Sequence, residues 1–85
     1  MFLHLGGDYS VRAGEVISIH DYEAMNKTET GKAFLQKRKK YIRDVSDGRS
    51  KSVVVTDGNI YLSALSPGTL KKRAGAFAEG FLYKN

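Results

Sequence analysis

The chain has 85 residues, of which 41% are hydrophobic and 27% charged, with a net charge of +5 and no cysteine. This length and composition predict one globular domain over 1–85 with a small core, which self-association would help to stabilise. The lack of cysteine excludes a disulfide framework and a thiolate zinc site. Since "MFLHLGG" also lacks an export signal and no apolar run approaches a membrane span, we expect a cytoplasmic protein.

Three strands are predicted before the first helix. Alternating apolar residues at 2–5, followed by Gly6-Gly7-Asp8, indicate a hairpin whose return strand covers 9–12. The β-branched run at 15–20 predicts a third strand. Residues 21–27 are polar without clear periodicity and are interpreted as a loop.

A helix is predicted over 28–40. Thr28 is a suitable N-cap, and the four cations at 37–40 lie at the C-terminal end, which the helix dipole favours. Apolar residues at helical spacing are expected to face the core, opposite the lysines: Phe34, Leu35, Tyr41 and Ile42.

The second half of the chain predicts strands at 41–45, 52–56 and 60–65, with Asp57-Gly58 as a hairpin turn. Ser66 and Pro67 begin a second helix, as N-cap and first helical residue. Its apolar stripe is Leu70, Ala74, Phe77 and Phe81. The order β-β-β-α-β-β-β-α, rich in hairpins, predicts an α+β fold with a small, mainly antiparallel sheet and two helices.

Enzyme signatures are weak. "TETGKAF" ends like a phosphate-binding loop, but Asn26 stands where the first glycine belongs and Ala33 where the magnesium-binding hydroxyl belongs. His4 and His20 could meet on adjacent strands as metal ligands, although packed or solvated histidines are the commoner outcome. We therefore expect a protein that is not an enzyme and that needs no metal, cofactor or small-molecule substrate.

The cations provide the functional signal. Residues 1–26 contain one cation and four carboxylates, whereas 27–85 contain thirteen cations and five carboxylates. This asymmetry favours an anionic partner, nucleic acid before a membrane surface. The basic residues form three clusters, "KRKK" followed by Arg43, "GRSK" and "KKR". Each is also typical of a solvated surface, but Arg49 on a tight turn before a buried strand suits phosphate binding.

The stretches "MFLHLGGD", "EVISIHD" and "SKSVVVTDGNIYLSALSPGTLKKRA" resemble the RemA/RemB family of extracellular matrix regulatory proteins, and the "FLHLG" opening is similar to that of its RemB branch. The resemblance implies a small DNA-binding protein that activates biofilm matrix genes, with a fold likened to LytTR domains. It further implies a closed ring of identical subunits, larger than a dimer, with double-stranded DNA wrapped outside.

The resemblance also implies site residues. The turn arginines of the family correspond to Arg49 in this sequence, and Lys51 follows shortly after it. Another arginine of the family corresponds to Glu15, so the charge is inverted there, and Arg12 could compensate for it. The candidate DNA contacts are Arg12, Lys39, Lys40, Arg43, Arg49 and Lys51. The candidate oligomer interface is Leu70, Phe77 and Phe81.

Two other functions stay open. A ring-forming protein-interaction module without direct DNA binding is favoured by Glu15 and opposed by the basic clusters. RNA binding is the weakest of the three, because the aromatic residues are predicted to lie on core-facing stripes rather than on a stacking platform.

Overall fold

The structure, a computed structural model, describes residues 1–75 of the chain. These residues form six strands and three helices: β1 (Phe2–Gly6), β2 (Tyr9–Arg12), β3 (Val16–Asp21), α1 (Tyr22–Met25), α2 (Glu29–Lys37), β4 (Ile42–Asp44), β5 (Ser52–Thr56), β6 (Ile60–Ser63) and α3 (Pro67–Gly75). Single 3₁₀ turns lie at Ala13–Glu15, before β3, and at Lys39–Tyr41, before β4.

The strands are divided between two sheets. β1 and β2 form an antiparallel hairpin, and the other four strands form a sheet in the order β3-β5-β6-β4. Within that sheet β5 is antiparallel to both its neighbours, whereas β4 runs parallel to β6. The α+β class is confirmed, but the strands form two sheets rather than one. The four-stranded sheet is mixed, because the chain after β4 crosses to the centre of the sheet instead of turning back beside it.

The prediction of a loop at 21–27 is wrong in part. Asp21 ends β3, and its Oδ2 accepts a hydrogen bond from the Ala24 amide at 2.8 Å, which caps α1. A helix of one turn is too short to show apolar periodicity, so the pattern did not reveal it. The described chain therefore has three helices rather than the two predicted.

The helix predicted over 28–40 is shorter in the structure. The Thr28 N-cap is confirmed, since its Oγ1 accepts from the Gly31 amide at 2.9 Å, but α2 ends at Lys37. The following 3₁₀ turn breaks the spacing of 100° per residue. Phe34 is therefore half-buried as part of the helix, whereas Tyr41, predicted to face the core, is exposed.

The core lies between the four-stranded sheet, the β1–β2 hairpin and α3. α3 packs against β1 and β3, and Ser66 caps it as predicted, accepting from the Thr69 amide at 3.2 Å. Burying one large apolar side chain of this core contributes roughly 1.5–3 kcal/mol. The buried cluster consists of Leu3, Leu5, Val11, Val16, Ile19, Val54, Leu70 and Ala74.

Two buried serines tie these layers together. Ser63 donates to the Leu5 carbonyl at 2.7 Å, and Ser52 donates to the Leu65 carbonyl at 2.6 Å. Both serines have no exposed surface, and they are paired across β5 and β6. Because a buried hydroxyl without a partner would be costly, these bonds fix the hairpin and the start of α3 on the end of the sheet.

Among the described helices, none has the length and apolar content that crossing a membrane requires.

We predict that Gly31→Ala destabilises the protein. In open space alanine is favoured over glycine within a helix by about 1 kcal/mol, but here the added Cβ would collide with the backbone carbonyl of Met25, where α2 meets α1. Urea unfolding measures the change. Gly68→Ala in α3 is the matched control, because its Cβ would meet nothing, and we expect it to be neutral or stabilising. Equal stabilisation by both substitutions would show that α1 and α2 are not in close contact.

Candidate functional site

Residues 46–50, here called the Arg49 turn, connect β4 to β5. Asp47 and Gly48 have φ values of 58° and 80°, so both adopt the left-handed conformation that aspartate tolerates and glycine favours. The Arg49 amide donates to the Ser46 carbonyl at 3.2 Å and closes the turn.

Asp44, at the end of β4, holds this turn in place. Its Oδ1 accepts from the Ser46 amide at 2.8 Å and from the Ser46 hydroxyl at 2.5 Å. Ser46 is buried, and its Oγ lies 2.8 Å from that of Ser50. The Ser46 hydroxyl, followed by the Ser46 amide, lowers the pKa of Asp44 below its usual value of 3.8. The turn is therefore anchored on both sides of Arg49.

The two cations that the sequence singled out lie on this anchored support. The Arg49 side chain is 81% exposed, and its ion pair with Asp47, at 3.9 Å, is also exposed and therefore weak. The Lys51 amide donates to the Ser63 carbonyl at 2.7 Å, and the Lys51 carbonyl accepts from the Tyr22 amide at 2.9 Å. The backbone is thus fixed while both charged groups remain accessible to an anion.

The structure does not gather the predicted DNA contacts on one patch. Arg49 and Lys51 lie at the end of the sheet where β5 begins. Lys39 and Lys40 instead precede β4, which starts at the other end of the sheet, where Ile42 pairs with Ile60. Since a strand rises about 3.3 Å per residue, the five residues of β5 separate the two ends by about 13 Å. Arg43 lies between the ends on β4, where it pairs with Tyr61.

Glu15, where the resemblance places an arginine, lies at the second end of the sheet. Its carbonyl accepts from the Asp57 amide at 3.1 Å, and its neighbour Val16 pairs with Thr56. Within one protomer Glu15 therefore does not face the surface of Arg49. Arg12 and Glu15 line the same shallow cavity of about 410 Å³, so opposite charges are adjacent there.

A second shallow cavity, of about 430 Å³, lies between α1 and the Arg49 turn. Lys27 and Lys51 both line it, so the structure adds Lys27 as a cation that the sequence patterns did not single out. Asp21 and Glu23 line it as well, which opposes anion binding within the cavity. Only the tertiary contact of α1 with β5 brings these residues together.

The two histidines do not form a metal site. His4 lies on the hairpin, where its Nε2 is 2.9 Å from the Gly7 carbonyl, and His20 lies in the other sheet, with its Nε2 2.8 Å from Ser18 Oγ. Burial lowers the pKa of His20, and the charge of Lys71 lowers it further. Over residues 1–75 no group of three histidine, aspartate or glutamate side chains is placed to hold a metal ion.

Of the three residues predicted to form the oligomer interface, the structure describes only Leu70. Leu70 has no exposed surface and belongs to the protomer's own core, because α3 turns this residue and Ala74 onto β1 and β3. Leu70 is therefore not available to a neighbouring subunit. Phe77 and Phe81 lie outside the described residues. The large apolar side chains exposed in the described chain include Met1, Phe2 and Ile17.

Comparison with known proteins gives two matches. Residues 2–74 match the family described as RemA-like, extracellular matrix regulatory protein A-like. The chain is also 43% identical over 74 residues to extracellular matrix regulatory protein B of Bacillus subtilis (strain 168), an alignment that covers 87% of this chain and 90% of that protein.

We predict that Asp44→Ala loosens the Arg49 turn and lowers the stability of the protein by about 1 kcal/mol, because the hydrogen bonds to Ser46 disappear. Asp44→Asn keeps an acceptor oxygen but cannot titrate, so it serves as the control. Since the pKa of Asp44 is lowered by folding, its contribution is present above pH 3.8 and is lost as the pH falls below that value. Melting temperatures from about pH 7 to about pH 2.5 should therefore fall more for the wild type than for Asp44→Asn. Parallel curves would show that Asp44 does not stabilise the fold through its charge.

Proposed function

Because this chain belongs to the RemA-like family of extracellular matrix regulatory proteins, we propose that it is a DNA-binding regulator of matrix genes and acts as a homo-oligomer. The matrix role is inferred from the relatives. The DNA contact and the assembly are argued from the residues described above.

The observation that best supports the proposal is the placement of Arg49. A guanidinium on an anchored turn offers two parallel N–H donors to a phosphate at little entropic cost. Its backbone is fixed through Ser46 and Asp44, and within residues 1–75 its ion pair is the weak one with Asp47. Lys51 adds a second positive charge at the same end of the sheet. This pair is suited to hold a duplex by its backbone without reading base sequence.

Assembly would supply the phosphate contacts that a single protomer lacks. Two or three such contacts give weak binding, whereas strong, salt-sensitive binding is typical of about 6–10. Repeating the Arg49 turn around a closed oligomer would reach that number through multivalency. In such an assembly recognition would depend on the bending of DNA more than on base edges.

The exposed apolar residues offer a surface for that assembly. Ile17 is 59% exposed on β3, which is an edge strand of the four-stranded sheet, and Phe2 is 66% exposed on β1. β4, the other edge, is only three residues long and carries Arg43 and Asp44, which disfavours strand pairing there. The β3 edge is therefore the better candidate for contact with a second copy.

A protein-interaction module is the second candidate function. The exposed side chains of Met1 and Phe2 lie with Glu15 and Arg12 around one cavity, a mixed surface that also suits a protein partner. This alternative predicts an assembled protein with no affinity for DNA, so the experiment on Arg49 separates the two.

We predict that Arg49→Ala weakens binding to all duplexes alike, because a phosphate contact carries no sequence information. The slope of log K against log salt should become shallower by about one unit for each phosphate that is no longer bound, and stability should change by less than about 0.5 kcal/mol. Lys51→Ala should have a milder effect, because an ammonium group lacks the bidentate fork. Fluorescence anisotropy with a labelled duplex at several salt concentrations measures the affinity, alongside a melting curve.

Arg73→Ala is the matched control, since it removes the same charge from an exposed position on α3. We expect it to bind as the wild type does. Full duplex affinity in a folded Arg49→Ala protein would refute phosphate binding by the turn. No binding by the wild type would favour the interaction module.

We further predict a closed homo-oligomer larger than a dimer. Multi-angle light scattering should give one mass above that of a dimer at micromolar concentration. Ile17→Asp should reduce that mass, because a carboxylate would be buried at the β3 edge. Thr30→Asp, an exposed change in the first turn of α2, should leave it unchanged. A monodisperse monomer in the wild type would rule out the assembly.

A further inference from the structure

We propose that this protein has a second nucleic-acid subsite, in which the exposed ring of Tyr41 stacks on an unpaired base while Lys39 and Lys40 hold the adjoining phosphates. The ligand class is single-stranded nucleic acid. This subsite lies at the end of the sheet opposite the Arg49 turn, so it does not depend on duplex binding there.

The position of Tyr41 is the first support. It is 48% exposed, although both its neighbours in the chain belong to ordered elements. Its amide donates to the Arg38 carbonyl at 2.9 Å, and Ile42, the next residue, pairs with Ile60 in β6. The backbone that carries the ring is therefore fixed, so the backbone loses little conformational entropy when a base stacks on the ring.

A cavity beside the ring is the second support. Tyr41 and the turn from Thr56 to Ile60 border a shallow, open depression of about 320 Å³, a volume at the lower end of known ligand clefts. The turn is held by its own bonds, since Thr56 Oγ1 donates to the Asn59 carbonyl at 2.9 Å and accepts from the Asn59 amide at 3.2 Å. Gly58 at its tip has open space around it, so a flat ligand can approach the backbone closely.

The polar groups at this cavity suit a base edge. Asn59 brings an amide with both donor and acceptor atoms, and Asp57 brings a carboxylate that accepts from the amino and imino groups of bases. Unpaired bases are recognised in this way, by stacking on an aromatic ring together with hydrogen bonds to the exposed edge. A carboxylate would repel phosphate, so the phosphates belong on the lysine side of the ring.

The lysines are placed for that task. Lys40 Nζ lies over one face of the Tyr41 ring, 5.3 Å from its centroid, so the base of the proposed subsite stacks on the other face. Lys39 belongs to the same 3₁₀ turn. In the described part of the chain, no carboxylate forms an ion pair with either lysine. Arg38 is directed to another ring, since its guanidinium lies 4.1 Å from the centroid of Phe34 and donates to the Phe34 carbonyl at 3.3 Å. The cations best placed to meet a ligand on the ring are therefore the two lysines that precede Tyr41.

A duplex would not use this subsite. Its bases are stacked on each other and present only their edges in the grooves, so no face remains for Tyr41. A single strand exposes a face on every base, and its backbone can follow the two lysines. The arrangement of ring, cavity and lysines therefore favours single-stranded DNA or RNA.

The experiment measures the anisotropy of labelled oligothymidine, oligouridine and an abasic DNA strand of equal length, at several salt concentrations. Tyr41→Leu should weaken binding of the two base-containing strands roughly ten-fold, a typical value for one stacked base, and leave the abasic strand unaffected. Tyr41→Phe keeps the ring and should bind as the wild type does. The ratio of affinities for oligouridine and oligothymidine shows which nucleic acid is preferred.

Three control variants make the result specific. Tyr9→Leu removes a partly exposed tyrosine from the hairpin and should leave the affinity for all three strands unchanged. Lys40→Ala should weaken binding of all three strands and make the salt dependence shallower. Arg49→Ala should leave the preference for base-containing over abasic strands unchanged, because any phosphate held by Arg49 is common to all three strands. A defect in stacking is therefore distinguishable from a defect in phosphate binding at the Arg49 turn.

Two outcomes would overturn the proposal. One is an unchanged affinity for oligothymidine and oligouridine in a Tyr41→Leu protein whose melting curve matches the wild type. The other is equal binding of abasic and base-containing strands by the wild type, which would leave electrostatic attraction alone. Either result would leave the proposed duplex contact at Arg49 untouched.

Discussion

The burial of β5 between β3 and β6 is the constraint on which the rest of the structure depends. Val53 and Val54 have no exposed surface, and they point to opposite faces of the strand, so both faces of the sheet are covered at its centre. The two candidate nucleic-acid sites are attached to opposite ends of this strand. The Arg49 turn leads into β5, and the turn at Asp57 leads out of it. A small domain thereby holds two charged regions apart by a rigid spacer of about 13 Å.

This separation explains why cations of the same type have different surroundings. At the first end Arg49 and Lys51 project from a backbone held by Asp44, Ser46 and Ser63, and the counter-charge of Asp47 is exposed. At the second end two lysines precede an exposed aromatic ring beside a cavity. Anchored guanidinium groups suit phosphates, whereas a ring with an adjoining cavity suits a base, so the two ends are suited to different features of nucleic acid.

The inverted charge at Glu15 is also understood through this geometry. Glu15 and Arg12 share a cavity at the end away from the Arg49 turn, so within one copy of the chain the Glu15 carboxylate is not placed to neutralise Arg49 or to repel an anion beside it. Contact between Glu15 and Arg49 would require a second copy of the chain. Ile17 and Phe2 are exposed at that end of the molecule, so in the proposed assembly the arrangement of subunits would determine whether Glu15 affects the proposed binding at Arg49.

Much of this protein was predictable from the sequence. Local chemistry was enough to predict the hairpins, the accessible turn at Arg49 and the caps Thr28 and Ser66, because turns and caps depend on residues only a few positions apart. The α+β class followed from the order of these elements. The family likewise follows from short stretches of sequence. Other features were decided by contacts between distant segments. The exposure of Tyr41 depends on where α2 ends, and the burial of Leu70 depends on which face α3 turns to β1 and β3. The parallel pairing of β4 with β6 depends on the crossing of the chain after β4. Periodicity along one segment contains none of this information.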